Sequence, residues 1–238
     1  MAEPVPPTVP LDRSTLATVP WKRIHRARSL TQATIWSLEW NGQRIAVKDF
    51  GKSRSWLARR VIGPWTIRKE ARIHRLLERD GETFAGAPRM FGVIEGPALL
   101  MERMPVKRLP KMKTGTVPAE FFDALDRLLA EMHARGVAHG DLRRKNIVLD
   151  EHGAPRLIDF TTAVACPPRS LWPRTALFRM MTKVDRIAAL KMRLSFFPET
   201  PLTDEQRALL ENRPFPLRVG QFYRQRLYRP FKKKVLRR

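Results

Sequence analysis

Apolar and polar residues alternate along two runs, TIWSLEW and QRIAVKDF, with Asn41-Gly42 between them. A period of two on either side of an Asn-Gly pair predicts a β-hairpin between Thr31 and Phe50. In its second strand Ile45 and Val47 share one face, Ala46 and Lys48 the other. A lysine beside a small alanine inside a strand is either an edge-strand charge that discourages aggregation or a group with a task. The stretch GKSRSWLARRVIGPW, residues 51–65, is basic, contains two tryptophans and predicts a loop or short helix. A longer helix follows from Thr66 to about Arg79, with Glu70, Ile73 and Leu77 on one face. A carboxylate on an inward face needs a cation. Lys48 is the candidate, and pairing with neighbouring surface Arg or Lys is the alternative.

The runs RMFGVIE and ALLMERM, joined at Gly96-Pro97, predict two more strands that complete a small antiparallel sheet, with Pro105 stopping the last. After a basic crossover, KRLPKMKTG, comes an apolar stripe of Phe121, Leu125, Leu128, Leu129 and Met132. It predicts a core-facing helix from Pro118 to Arg135, stopped by Gly136. A loop, a short strand, a turn at Glu151-His152-Gly153 and a second strand ending in Leu157-Ile158 come next. Residues 162–173 hold three prolines and no clear period. Helices are then predicted from Arg174 to Phe196 and from Thr203, whose spacing to Gln206 suits a capping box. Asp185, in the first of these helices, either braces the preceding loop from below or stands exposed, and the exposed reading is preferred.

Composition narrows the setting. The chain has 238 residues, 43% of them hydrophobic, which suits one domain of two lobes. Its 46 Lys+Arg against 23 Asp+Glu leave a formal net charge of +23. A surplus of that size suits nucleic acid, an anionic membrane surface or a phosphorylated substrate as partner. The single cysteine, Cys166, excludes an internal disulfide, agrees with a reducing compartment, and lies in no setting that marks a reactive thiol. No run of 18 apolar residues exists, and the start, MAEPVPPTVPLD, has no signal-peptide pattern. A cytoplasmic protein is expected. Residues 1–20 hold five prolines and predict an extended, disordered lead-in. The last fifteen residues, RQRLYRPFKKKVLRR, are basic at eight positions with apolar groups interleaved. They form either a solvated end or an anchor for anionic lipid.

The chemistry concentrates in HGDLRRKNIVLDEHGAPRLIDF, from His139 to Phe160. Asp141 sits in the loop, Asn146 five residues later, and Asp159 ends the second apolar run. That spacing suits phosphoryl transfer from a nucleotide: one carboxylate positions an acceptor hydroxyl, while an amide oxygen and a second carboxylate hold a metal ion. His139 reads as a packed, hydrogen-bonded loop residue rather than an acid or base.

The stretch resembles the catalytic loop and metal segment of the protein-kinase-like superfamily, H-x-D-x-x-x-x-N followed by D-F-G. RIAVK, with Lys48 placed 93 residues before Asp141, resembles the V-A-I-K strand. The resemblance runs from about residue 25 to 165. It implies an α+β, bilobal protein-kinase-like fold with a small antiparallel-sheet N-lobe and a short, mainly helical C-lobe. The N-lobe would span residues 21–104, the C-lobe 105–223 and the basic tail 224–238. It also implies ATP and Mg²⁺ as cofactors and a role for each site residue. Asp141 would orient the acceptor hydroxyl, Arg143 would stabilise the transferred phosphoryl, and Lys48 would grip the phosphates with Glu70 holding it. Asn146 and Asp159 would bind the metal. Ala46, Met101 and Val148 would line the nucleotide pocket, and the backbone of Glu102 and Met104 would pair with adenine.

Four departures narrow the family. SLTQAT stands where a glycine-rich loop would be, Gly140 replaces the arginine of His-Arg-Asp, Thr161 replaces the glycine after Asp-Phe, and no A-P-E segment follows. HGDLRRKNIVLD and DRIAALKMR are similar to the bacterial lipopolysaccharide core (Kdo/heptose) kinases, relatives of the RIO-type and Bud32-type atypical kinases. The expected reaction is phosphorylation of a lipopolysaccharide inner-core sugar, whose precursor is an anionic acceptor. The alternatives are an atypical serine/threonine kinase acting near RNA and a non-catalytic scaffold.

Overall fold

The computed structural model describes residues 13–14, 18–27, 32–53, 55–78, 82–95, 97–104, 107–109 and 117–212. The expected hairpin is present as β2 (Thr34–Trp40) and β3 (Gln43–Asp49). Asn41 and Gly42 both have positive φ, 48° and 73°, the pair of left-handed residues whose twist suits a two-residue turn. β4 (Met90–Ile94) and β5 (Ala98–Glu102) join the far side of β3, and β1 (Lys22–His25) joins the outer side of β2. The order β1-β2-β3-β5-β4 makes β3 the central strand. Lys48 is therefore no edge-strand charge. β1 itself was not foreseen, because all four of its residues are exposed and no alternation marks it.

One face of the sheet packs Leu38, Ile45, Val47, Ile94, Ala98 and Leu100 together. The other packs Phe50 and Leu99 against Ile67 and Ala71 of α1 (Gly63–Leu77). Lys48 stands opposite Leu99, and Ala46 opposite Met101, so these four share the helix-facing side. α1 begins three residues before the expected start, behind a π-helical turn, Ala58–Ile62. Pro64 lies in its first turn, where a missing N–H costs nothing.

The rest of the described chain is built on α2 (Ala119–Ala134), α3 (Trp172–Phe196) and α4 (Asp204–Glu211). α3 also starts early, around Pro173, for the same reason. The capping box at Thr203 and Gln206 forms as expected. Short strand pairs lie beside the helices. β6 (Lys107–Arg108) and β9 (Pro155–Leu157) flank β8 (Ile147–Leu149), and β7 (Val137–Ala138) pairs with β10 (Val164–Ala165). The largest core joins Phe122, Leu125 and Leu129 of α2 to Ile147, Leu157 and Phe196, and it also takes in Ile73 and Leu77 of α1. By packing, α1 belongs to both lobes.

Part of the proline-rich lead-in is docked: Arg13 Nη2 lies 2.7 Å from the buried carboxylate of Asp49, and Val19 packs on the sheet. The basic tail and the first half of the SLTQAT loop lie outside the described residues. Among the described residues, no helix is long and apolar enough to cross a membrane.

Candidate active site

The central strand β3 and the buried face of α1 bring Lys48 and Glu70 together. Lys48 Nζ donates to Glu70 Oε2 at 2.7 Å and Oε1 at 2.9 Å, with Lys48 8% and Glu70 2% exposed. The same ammonium donates to Thr161 Oγ1 at 2.7 Å and lies 3.3 Å from Asp159 Oδ1. Burial alone would lower the lysine's pKa, but Glu70 and Asp159 outweigh it, and the net shift is upward. At Asp159 burial opposes the charged form, while Lys48 and the Thr161 hydroxyl outweigh it and hold the carboxyl below its ordinary range. The strand lysine, the helix glutamate and the aspartate thus form one fixed charge cluster across the two lobes.

The loop before β8 is built around buried polar groups. His139 is fully buried; its Nδ1 accepts the Asp141 N–H at 3.3 Å, so Nε2 carries the proton and donates to Ile158 O at 3.2 Å. Gly140 has φ +74°, and a Cβ there would stand 3.1 Å from Thr162 O. That backbone suits glycine and strains an arginine, which accounts for one departure from the His-Arg-Asp pattern. Asn146, after a tight turn at Arg144–Asn146, donates from Nδ2 to Asp141 O at 2.9 Å and Oδ2 at 3.2 Å. Arg143 pairs with the same oxygen at 2.5 Å. Asp141 is therefore aimed by two neighbours that both hold Oδ2.

Phe160 connects the pieces. Its ring lies 5.4 Å from that of His74 on α1 and 5.1 Å from that of His139, so a column of three rings joins the helix bearing Glu70 to the loop bearing Asp141. Asp159 itself has left-handed backbone, φ 70° and ψ 70°, which turns the chain sharply into Thr161. Lys69 closes the corner by donating to Thr161 O at 2.8 Å.

The structure brings Lys48, Glu70 and Asp159 into direct contact, and places Asp141, Arg143 and Asn146 in a second contacting set. Ala46 and Met101 sit side by side on the helix-facing side of the sheet. Val148 is buried, on the opposite face of β8 from the core residues Ile147 and Leu149. One expectation needs correction, and two residues show contacts of their own. Asp185 is not exposed: it is wholly buried and accepts the N–H groups of His139 at 2.7 Å and Gly140 at 2.9 Å, with His133 Nε2 3.1 Å away. The Glu102 N–H donates to Arg89 O at 2.8 Å, so only the carbonyl of that residue can face a base, beside Met104. Arg143 pairs with Asp141 while its side chain stays about half exposed. Thr161 and Lys69 were given no role by sequence reasoning. A hydroxyl two residues after Asp159 and a lysine next to Glu70 were the signals for them. Cys166 is half-buried, its Sγ 3.9 Å from the Thr175 hydroxyl, away from these contacts.

Known proteins fit this geometry. The family model described as APH, phosphotransferase enzyme family, matches residues 41–169. The 3-deoxy-D-manno-octulosonic acid kinase of Xylella fastidiosa strain 9a5c is 24% identical over 180 residues, 62% of this chain and 72% of that protein. CBL-interacting protein kinase 4 of Oryza sativa subsp. japonica is 32% identical over 131 residues, 51% of this chain and 28% of its own length. The crystal structure of the Rio2 kinase-ADP/Mg²⁺-phosphoaspartate complex from Chaetomium thermophilum superposes with a TM-score of 0.56 at 17% identity. That match covers 83% of this chain and 64% of the Rio2 chain, and it speaks to the fold alone. The matched family segment contains every polar site residue from Lys48 to Asp159 and covers more than half of the sequence: the chain belongs to the phosphotransferase enzyme family, as a kinase-like phosphotransferase of the protein-kinase-like superfamily with sequence similarity to Kdo kinases and a fold like that of Rio2 kinase.

Proposed function

We propose that the protein is an ATP- and Mg²⁺-dependent kinase that phosphorylates a sugar hydroxyl of a lipopolysaccharide inner-core precursor at the cytoplasmic face of the membrane. The observation that carries the kinase reading is the buried Lys48–Glu70 pair reaching Asp159 across the lobes. Lys48 has three N–H groups and four oxygen contacts within 3.3 Å. Phosphate oxygens would replace Thr161 and Asp159 at the ammonium, while Glu70 keeps it in place. Asp141, aimed by Asn146 and Arg143, would take the acceptor hydroxyl's proton at its other oxygen, Oδ1.

The donor set suits a hard divalent cation. Asn146 spends its Nδ2 on Asp141, which leaves Oδ1 as its metal-facing atom. Both polar contacts recorded for Asp159 fall on Oδ1, so Oδ2 is the oxygen for the ion. Bound there, Mg²⁺ would neutralise charge on the phosphates. The Rio2 structure, which holds ADP and Mg²⁺, supports the same cofactors for this chain.

The acceptor rests on the Xylella kinases, which act on 3-deoxy-D-manno-octulosonic acid, and on the net charge of +23, which favours an anionic substrate. With radiolabelled ATP and Mg²⁺, purified protein is expected to label core lipopolysaccharide precursors far faster than generic proteins, and less as salt rises. Preferential labelling of a protein would favour the RIO-type reading, and no labelling at all the scaffold.

A further inference from the structure

The outer side of α1 and the turn before it present a single chemistry to solvent. Of the nine large hydrophobic side chains exposed among the described residues, four fall within residues 56–65: Trp56 (64% exposed), Leu57, Val61 and Trp65 (66%). Val61 and Trp65 continue into Arg68, Arg72 and Arg75 at helical spacings of four, three, four and three, and all five are exposed. The one acidic residue between 51 and 77, Glu70, is buried against Lys48. The face is thus an apolar cap followed by an arginine stripe, with no exposed carboxylate to answer it. The inner side of the helix already packs on the sheet and on the large core, so core packing does not explain the tryptophans.

From this arrangement we infer that the Trp56–Arg75 face docks the protein on an anionic bilayer. Indole rings settle at the boundary of acyl chains and headgroups, and arginines beside them meet the phosphates. Leu57 and Val61 favour lipid over nucleic acid: aliphatic groups gain by leaving water, but they offer a base no face to stack on. The basic tail is excluded as an occupant because it carries the same sign of charge. Glu70 lies on the inner side of the same helix, so docking would hold the catalytic cleft close to the membrane surface. The inference goes beyond the acceptor proposal and holds whichever hydroxyl is phosphorylated.

The full chain is sedimented with phosphatidylcholine vesicles, with and without phosphatidylglycerol. Wild type is expected to pellet with the anionic vesicles only. Trp56→Ala/Trp65→Ala should weaken the partition about tenfold or more, and Arg68→Glu/Arg72→Glu should weaken it most at low salt. ATP affinity should be unchanged in both variants, which shows that they fold. The inference falls if the tryptophan variant pellets like wild type, if neutral vesicles bind equally well, or if the face binds an RNA oligonucleotide in preference to the vesicles. Because binding is read without an acceptor, failure here leaves the phosphotransfer assay intact, and failure there leaves this result standing.

Discussion

The carboxylate of Asp185, carried on α3, accepts the backbone N–H of His139 at 2.7 Å inside the core. Through Gly140 as well, it fixes two consecutive peptides of the loop that delivers Asp141. Asp185→Asn would turn an NH₂ toward a peptide N–H and leave a buried donor unpaired. We expect a stability loss of about 3 kcal/mol. The phosphotransfer rate should also fall while ATP affinity stays near wild type, because Lys48, proposed to grip the phosphates, lies elsewhere. Thermal melting and separate Kd and kcat measurements check this; an unchanged kcat would show that the loop needs no brace.

Lys48 and Glu70 should respond as a pair. Lys48→Met leaves a buried carboxylate without its cation and should cost about 3–5 kcal/mol. Lys48→Met/Glu70→Leu removes both charges and should recover most of that stability while remaining inactive. If the double variant is as unstable as the single, the unpaired carboxylate of Glu70 is not the cause of the loss.

The carboxylates of Asp141 and Asp159 should separate by role. Asp141→Asn is expected to retain Mg-ATP binding and to slow transfer about 10²–10⁴-fold. Asp159→Asn should weaken Mg-ATP binding itself. A wild-type transfer rate in the Asp141 variant would overturn its assignment.

His74 sets an acid limb. Burial is the largest influence and keeps its pKa below 6.5; Lys48 adds to the effect, while Glu70, Glu78 and a hydrogen bond at Pro88 oppose it. The unfolded chain therefore binds the proton at a higher pH than the folded one does, and stability rises with pH up to about 6.5 and levels off above it. Denaturant titrations at several pH values should show a slope of at most about 1.4 kcal/mol per pH unit from this group. His74→Phe, which keeps a ring against Phe160, should flatten that limb. An unchanged slope would assign it to another group.

Much of the site was readable along the chain because its residues come in local strings. The Asn-Gly hairpin, the apolar stripe of α2 and the run from His139 to Phe160 each carry a short-range signal: turn chemistry, helical period, fixed spacing. The pairing of Lys48 with Glu70 was also legible, since a charge on an inward face demands an opposite one. What the tertiary structure decided lies where a residue's burial depends on distant partners. Asp185 looked like an exposed helix residue because an unpaired carboxylate belongs in water; two loop peptides and His133, at least 45 residues away, make its burial tolerable. Thr161 looked like a departure from a glycine until the turn at Asp159 set its hydroxyl between Lys48 and that carboxylate. The central place of β3 needed β5, contributed from beyond α1, because strand order follows from long-range pairing that no local period encodes.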